Sequence, residues 1–180
     1  MAVSADGVRI RRCGREDAGR LALVGAATFL ETFAGVIHGD DILAHCANQH
    51  AEQRYATWLA DEARHALWLA EAQPGRAPIG FAMLSPPDLP SVATHADDLE
   101  LKRIYLLHRF LGGGHGAALM RVAVEQARAR GAGRLLLGVY AKNVRALAFY
   151  ERQGFRPVGE RRFRVGDNDY EDVILALELR

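Results

Sequence analysis

Hydrophobic positions recur at helical spacing over the first third of this 180-residue chain, after one short alternating segment. Apolar and basic residues alternate over 8–11, a pattern that favours a half-exposed strand. The apolar run that follows, and an Asp40-Asp41 pair that offers an N-cap, predict helices with one buried face. The predicted helices cover residues 18–29, the region near 42–47, and residues 51–61.

The pattern changes to short apolar runs after residue 65, and these favour strands interrupted by two further helices. Because most successive strands are joined by links of hairpin length, the order β-α-α-α-β-β-β-α-β-α-β-β predicts a mixed α/β fold with a largely antiparallel sheet. The predicted elements are strands at 66–70, 79–84 and 98–107, a helix at 117–130 ended by Gly131, a strand at 134–139, a helix at 143–152 between Asn143 and Gly154, and strands at 155–160 and 173–179 flanking a turn at Gly166-Asp167-Asn168.

The predicted strand at 98–107 has polar residues on both faces, so it is not a simple core strand. Strict alternation assigns its side chains to two sets. One face takes Leu99, Leu101, Arg103 and Tyr105, and the other takes Glu100, Lys102, Ile104 and Leu106.

Composition favours a single domain over residues 1–180, since 49% of the residues are hydrophobic and can build one core. The 23 basic and 22 acidic residues give a net charge of +1, which supplies no general basic field for nucleic acid. The longest clean apolar run, 21–30, is far shorter than the roughly 20 residues that a spanning helix needs. With no apolar signal region at its start, we expect a cytoplasmic protein with no membrane partner.

The two cysteines, Cys13 and Cys46, are too few for a disulfide scaffold or a four-thiolate zinc site. They are interpreted as buried small residues rather than as nucleophiles. His45 and His50 are five residues apart, a poor spacing for one helix face, so no metal site is expected.

The segment with the sharpest chemical signal joins the strand at 98–107 to the next helix through Gly112-Gly113-Gly114. Glycines let the backbone approach a ligand closely, and free N–H groups at a helix start favour an anion such as pyrophosphate. A flexible connector is the alternative. A P-loop is excluded because no Lys-Ser/Thr follows Gly116. A dinucleotide fingerprint is formally matched by the spacing to Ala117, but no acidic residue follows the next strand.

A second segment, Asn143-x-x-Ala146-x-x-Phe149-Tyr150-x-x-x-Gly154-Phe155, completes a pair of motifs. Together with the glycine loop, this segment resembles the GNAT superfamily of acetyl-CoA-dependent N-acetyltransferases. The resemblance implies a mixed, largely antiparallel central sheet with helices on both faces. It also implies acetyl-CoA as co-substrate, no metal, and direct attack by an amine in a ternary complex.

The same resemblance implies roles for individual residues. Glu100 is the candidate base, with a charged residue on an exposed strand edge as the alternative. Tyr150 is the candidate general acid, or else a packed aromatic, and Asn143 contacts pantetheine or is only an N-cap. The family's Gln or Arg is replaced by Leu111, and its usual proline is absent at His108. The implied cofactor-binding residues are Ile104, Tyr105, Leu106, Leu111, Gly112, Gly113, Gly114, His115, Gly116, Ala117, Asn143 and Tyr150. Of these, Ile104 and Leu106 use their main chain, and His115 is either a phosphate contact or a plain surface residue.

The segments 100–105 and 28–33 resemble the polyamine and small-amine branch of the superfamily. The acceptor is therefore expected to be a small primary amine, a polyamine first, attracted by Asp97, Asp98 or Glu31. Trp58 either packs or lines the acceptor pocket. Acetylation of a peptide N-terminus or lysine, and a non-catalytic acyl-CoA-binding module favoured by Leu111, remain alternatives. The oligomeric state stays open, with a homodimer as one option.

Overall fold

A single sheet runs through the computed structural model, which describes residues 3–5, 7–165 and 168–180. The strands are β1 (Val3–Ala5), β2 (Val8–Arg12), β3 (Ala66–Ala72), β4 (Ala77–Ser85), β5 (Leu99–Leu106), β6 (Arg134–Tyr140), β7 (Arg156–Val165) and β8 (Asn168–Glu178). The helices are α1 (Ala18–Phe33), α2 (Gly39–Gln49), α3 (Glu52–Ala60), α4 (His115–Ala129) and α5 (Val144–Arg152), with short 3-10 turns at Arg15–Asp17 and His108–Phe110. In this described part the strand order is β1-β2-β3-β4-β5-β6-β8-β7.

The predicted fold class is confirmed, with helices on both faces and every described strand pair antiparallel except β5 with β6. Several strands were predicted too short, β7 and β8 by the most. β7 and β8 extend over a polar stretch because they pair along nearly their whole length at the edge of the sheet, where outward side chains stay in water. The predicted elements also lacked β1, whose three residues are too few to show a period. Of the predicted turn, Gly166 and Asp167 lie outside the described residues.

Apolar side chains fill both sides of the sheet. On one side, α4 and α5 cover a cluster that includes the fully buried Leu119 and Leu135. On the other side, α1 and α3 pack Leu21 and Tyr55 against Phe81, all three of them fully buried. Each such side chain contributes roughly 1.5–3 kcal/mol by leaving water, which holds the helices firmly against the strands.

The two central strands separate shortly after they meet. β5 and β6 pair only at Leu99 with Leu135 and at Glu100 with Leu136. From Leu101 onward β5 keeps its partner β4 but has no described strand on its other side. A wedge-shaped gap therefore opens in the middle of the sheet, and its closed end lies at Glu100.

A bulge in β5 decides which side chains face which helices. Met83 of β4 pairs with Arg103, but the next residue, Leu84, pairs with Leu101, so Lys102 is an extra residue in the ladder. The strict alternation expected from the sequence is therefore wrong, because a bulge reverses the order of faces beyond it. Leu101 packs with Ile104 and Leu106 on the α4 side. Glu100, Arg103 and Tyr105 share the α1 side.

Candidate active site

Main-chain groups of β5 line one wall of the gap. The N–H of Leu107 donates to the Ile79 carbonyl at 2.8 Å. Because hydrogen bonding alternates along an antiparallel pair, the N–H and C=O groups of Ile104 and Leu106 point away from β4 and into the gap. At Gly80, a Cβ would lie 2.6 Å from the Tyr105 carbonyl oxygen, so only glycine lets β4 approach this part of β5 so closely. The wall can therefore hydrogen-bond an extended ligand.

The glycine loop lies at the open end of the gap and leads into α4. Gly112 and Gly114 have φ values of +89° and +78°, which side-chain-bearing residues rarely adopt. A Cβ on either would meet no described atom within 4 Å, so the space in front of the loop is open. The N–H groups of residues 112–114 donate to no described acceptor. Free donors at the start of a 15-residue helix fit the pyrophosphate of coenzyme A.

Side chains around the loop serve packing more than binding. Leu111 is half-buried and packs against the apolar cluster on the α4 side. His115 is only 7% exposed and lies against Gly113, so the interpretation as a plain surface histidine is wrong. Gly116 faces the ring of Phe149, which joins the start of α4 to α5. Ala117 is exposed beside them.

The second motif forms α5, which lies on the same side of the sheet as α4. Asn143 caps this helix, since its Oδ1 accepts from the N–H of Ala146 at 3.1 Å. Tyr150 is 8% exposed, and its ring packs edge-on against Phe149 and Phe155. Its hydroxyl bonds to no described residue, and burial raises the Tyr150 pKa well above its usual range. The hydroxyl therefore keeps its proton at neutral pH.

Glu100 is buried at the closed end of the gap, with 3% of its surface exposed. The alternative of a residue on an exposed edge is therefore wrong. Its Oε2 accepts from the Asp88 N–H at 2.8 Å and lies 3.8 Å from the Lys102 ammonium. Burial raises the pKa of Glu100, while Lys102 and the Asp88 N–H oppose that rise. No described residue bonds to Oε1, so this oxygen is available to take a proton.

The end of α1 crosses over the open end of the gap. Glu31 Oε2 accepts from the N–H of His108, just beyond β5, at 2.8 Å. The Phe33 ring lies 6.4 Å from that of Tyr140, at the end of β6. The side of the gap towards the glycine loop is named the cofactor side, and the side on the α1 face the acceptor side, after the roles that the resemblance implies. The Glu31 carboxylate is engaged in the hydrogen bond to His108.

The other two acids reserved for attracting a cation lie away from the open gap. Asp97 pairs with Arg180 at 2.7 Å, and Asp98 pairs with Arg134 at 2.6 Å. Both aspartates precede the point where β5 meets β6, beyond the closed end of the gap. Their charges are compensated there.

Sequence reasoning gave no role to Arg103, Arg161 and Asp172, which lie on the α1 face. The Arg103 guanidinium lies 4.8 Å from the Trp58 ring and donates to the Tyr55 hydroxyl, so Trp58 packs on a charged side chain. Arg161 and Asp172 form an ion pair across β7 and β8. Their only sequence signal is the polar alternation of 160–172, which by itself indicates a solvent-facing hairpin.

The cysteines and histidines offer no competing chemistry within the described residues. Burial raises the pKa of the Cys13 and Cys46 thiols, which keeps both protonated and poorly nucleophilic. No group of three or more potential metal ligands comes together in this part of the chain. None of its helices is both long and apolar enough to cross a bilayer.

Comparison with known proteins connects this geometry to a family. A profile of the acetyltransferase (GNAT) family matches residues 23–155. An uncharacterized N-acetyltransferase of Mycobacterium tuberculosis is 35% identical over 163 residues, covering 91% of this chain and 98% of the relative. A complex of the PaiA N-acetyltransferase of Thermoplasma acidophilum with coenzyme A superposes with a TM-score of 0.77 at 21% identity, over 95% of this chain and 98% of that one. A GCN5-related N-acetyltransferase of Rhodopseudomonas palustris gives 0.74 at 18% identity, over 98% and 99%. At such identities the two structures show the fold alone.

Proposed function

This chain belongs to the GNAT family and is an acetyl-CoA-dependent N-acetyltransferase, and from that premise we propose that it acetylates a small primary amine by direct attack in a ternary complex. The observation that carries the proposal is the gap between β5 and β6. A buried carboxylate with a free oxygen lies at its closed end, and open glycine-loop N–H groups lie at its mouth.

Cofactor binding is assigned to main-chain groups. The N–H groups of Gly112, Gly113 and Gly114, continued by His115, Gly116 and Ala117, hold the pyrophosphate at the start of α4. Main-chain groups of Ile104 and Leu106, on either side of Tyr105, hold the pantetheine arm as an added strand would be held. Asn143 uses the amide nitrogen that its cap leaves free. Because these contacts are main-chain contacts, Leu111 in place of Gln or Arg removes one side-chain contribution and leaves the rest.

Proton transfer from the acceptor is assigned to Glu100. A primary amine has a pKa near 10.4 and is mostly protonated at neutral pH, so attack requires that a proton be removed. Oε1 of Glu100 takes it directly or through one water, while the Asp88 N–H holds Oε2 in place. Burial makes this carboxylate a stronger base than a solvated one, because its pKa is raised.

When bound, acetyl-CoA supplies a thioester carbonyl that the amine attacks. An inward-facing N–H of β5 is placed to stabilise the developing negative charge on the carbonyl oxygen. The Tyr150 hydroxyl, free of other partners and protonated at neutral pH, donates its proton to the departing sulfur.

These residues support acetyl transfer to an amine, but they do not distinguish well between classes of acceptor amine. The resemblance of segments 28–33 and 100–105 favours a polyamine. The acids expected to attract such a cation do not support that choice, since Asp97, Asp98 and Glu31 all have other partners. A peptide N-terminus or a lysine side chain is the second candidate acceptor.

The test is release of free coenzyme A from acetyl-CoA, followed with a thiol reagent, together with mass spectrometry of the acetylated product. The panel contains spermidine, small amino acids, and a short peptide with a free N-terminus and one lysine. The proposal expects small amines to stimulate release and to gain an acetyl group. Release stimulated only by the peptide would favour the second candidate. Acetyl-CoA binding without amine-dependent release would contradict the proposal.

A further inference from the structure

Arg161 on the acceptor side has hydrogen-bonding capacity that no described residue uses. Its Nε donates to Asp172 Oδ2 at 3.1 Å, and this is its one ion pair in the described part of the chain. The two terminal nitrogens, Nη1 and Nη2, donate to no described acceptor. The side chain is 20% exposed, and its Cζ lies 5.1 Å from the centroid of the Phe163 ring, so the guanidinium is held by the protein while the side chain keeps some contact with solvent.

A glycine places this guanidinium beside the gap. Arg161 lies on β7, and its side chain reaches across β8 onto β6, where a Cβ on Gly138 would lie 2.7 Å from Nη2 and 2.9 Å from Cζ. Gly138 is two residues beyond Leu136, the last residue of β6 that pairs with β5. A side chain at 138 would therefore push the guanidinium away from the place where the two strands separate.

Neutralising the charge of Asp172 does not require the whole Arg161 guanidinium. Burial raises the pKa of both Glu100 and Tyr105, and the positive charge of Arg161 is among the charges that oppose that rise. Asp172 is 6% exposed and needs a cation close by, which one Nε contact supplies. The pair of terminal nitrogens is not needed for that purpose. A guanidinium that presents two parallel N–H groups matches the two oxygens of a carboxylate.

We propose that Arg161 binds a carboxylate carried by the acceptor, so that the substrate is an amino-acid-type amine rather than a polyamine. The inference rests on the proposed function, because it assigns the acceptor of that same site. Gly138 is the positioning residue, since its missing side chain allows Arg161 to reach the gap. Asp172 orients the guanidinium through Nε and leaves both terminal nitrogens for the substrate.

The experiment uses pairs of amines that differ only by a carboxylate: lysine with cadaverine, and phenylalanine with phenethylamine. The ratio of kcat/KM within each pair is measured for wild type, Arg161→Gln, Gly138→Ala and Arg162→Gln. Wild type should prefer at least one carboxylate-bearing member by about tenfold or more. Arg161→Gln should lose that preference by about 10- to 100-fold, the range expected for hydrogen bonds to a charged group. Gly138→Ala should lose part of it while retaining the charge.

Arg162→Gln is the matched control, because Arg162 is the next residue on β7, is exposed, and points to the opposite face. Its preference should equal that of wild type. Titration with coenzyme A checks that each variant retains the cofactor site. Equal use of the two members of every pair, or a preference for the decarboxylated amines, would overturn the role of Arg161 and leave the proposed function intact. Coenzyme A binding with no turnover of any amine would contradict the proposed function itself.

Discussion

Protonation of the buried His50 should contribute to the loss of stability of this domain in mild acid. His50 is 4% exposed, and its Nδ1 lies 2.9 Å from the Tyr55 hydroxyl. Arg103 Nη1 donates to the same hydroxyl at 2.9 Å. Because a guanidinium only donates, Tyr55 must accept from Arg103 and give its own proton to Nδ1. Nδ1 of His50 is therefore an acceptor in the folded protein, and the ring is neutral.

The expected loss of folding stability follows from the pKa of His50. Burial, together with the charges of Arg103 and His45, lowers the pKa of His50 from 6.5 to about 3. Below pH 6.5 the unfolded chain binds a proton that the folded chain does not accept until the pH is near 3. Stability is thus lost as the pH falls through this window, by about 1.4 kcal/mol for each pH unit. Between about pH 7.5 and pH 5 the part of this loss that is due to His50 is roughly 2 kcal/mol.

The perturbation is His50→Asn, whose amide oxygen can accept the Tyr55 proton and does not titrate. Urea unfolding at the two pH values gives the change in unfolding free energy for each protein. The variant should lose about 2 kcal/mol less than wild type between them. His38→Asn removes an imidazole whose side chain is 72% exposed, and should behave as wild type. If wild type and His50→Asn lose the same stability, the assignment of a neutral, buried His50 is refuted.

Three further substitutions test other parts of the molecule. Gly25→Ala should destabilise the fold by about 1–3 kcal/mol in urea unfolding, because its Cβ would lie 2.6 Å from the Tyr55 hydroxyl oxygen; unchanged stability would contradict this packing. Gly114→Val should weaken the binding of coenzyme A in calorimetric titration. Gly131→Val is the control, because Gly131 also has a positive φ but lies at the other end of α4, so this variant carries the same strain without affecting binding. Equal affinities of the two variants would place the pyrophosphate elsewhere. Tyr150→Phe should lower kcat by up to about 10²-fold with little change in stability or in the Kd for coenzyme A, since the hydroxyl has no described partner; a normal kcat with a large loss of stability would make this tyrosine a core residue.

Signals that are local in the chain predicted most of the fold, the glycine loop before α4 and the cap of α5. The triple glycine requires only the backbone freedom of Gly112 and Gly114, and it lies where a strand meets a helix. The cap at Asn143 is likewise set by residues within one turn. Such features can be recognised in a single segment because the physical cause and its effect lie together.

The acceptor side depended on contacts between segments far apart in sequence. The bulge at Lys102 arises from pairing with β4 and has no signal in the sequence of β5. Strict alternation therefore assigned Glu100 to the same face as Ile104 and Leu106, whereas it lies on the opposite face in the structure. The Arg161 side chain meets Gly138 only because β8 lies between β7 and β6. A glycine in a strand and an arginine in a polar hairpin each have an ordinary local explanation. The contact between the two residues forms only in the folded sheet, so neither residue indicates it in the sequence.

The most direct test of the central claim, acetyl transfer in the gap between β5 and β6 with Glu100 as the base, is the pH–rate profile of Glu100→Gln beside wild type. Glutamine keeps the shape of the side chain and removes the proton acceptor, so the rate of amine acetylation at neutral pH should fall by about 10²–10⁴-fold. Wild-type activity should fall as the pH drops through the raised pKa of Glu100, because only the carboxylate form accepts a proton, and the variant should lack this limb.

Raising the pH should restore part of the variant's rate, since more of the amine is then unprotonated. Glu160→Gln, which removes an exposed carboxylate from β7, is the control and should retain the wild-type profile. The measurement is the initial rate of acetylated-amine formation across the pH range at saturating acetyl-CoA. A Glu100→Gln enzyme with the rate and pH profile of wild type would contradict the account, because the buried carboxylate at the closed end of the gap would then take no part in the reaction.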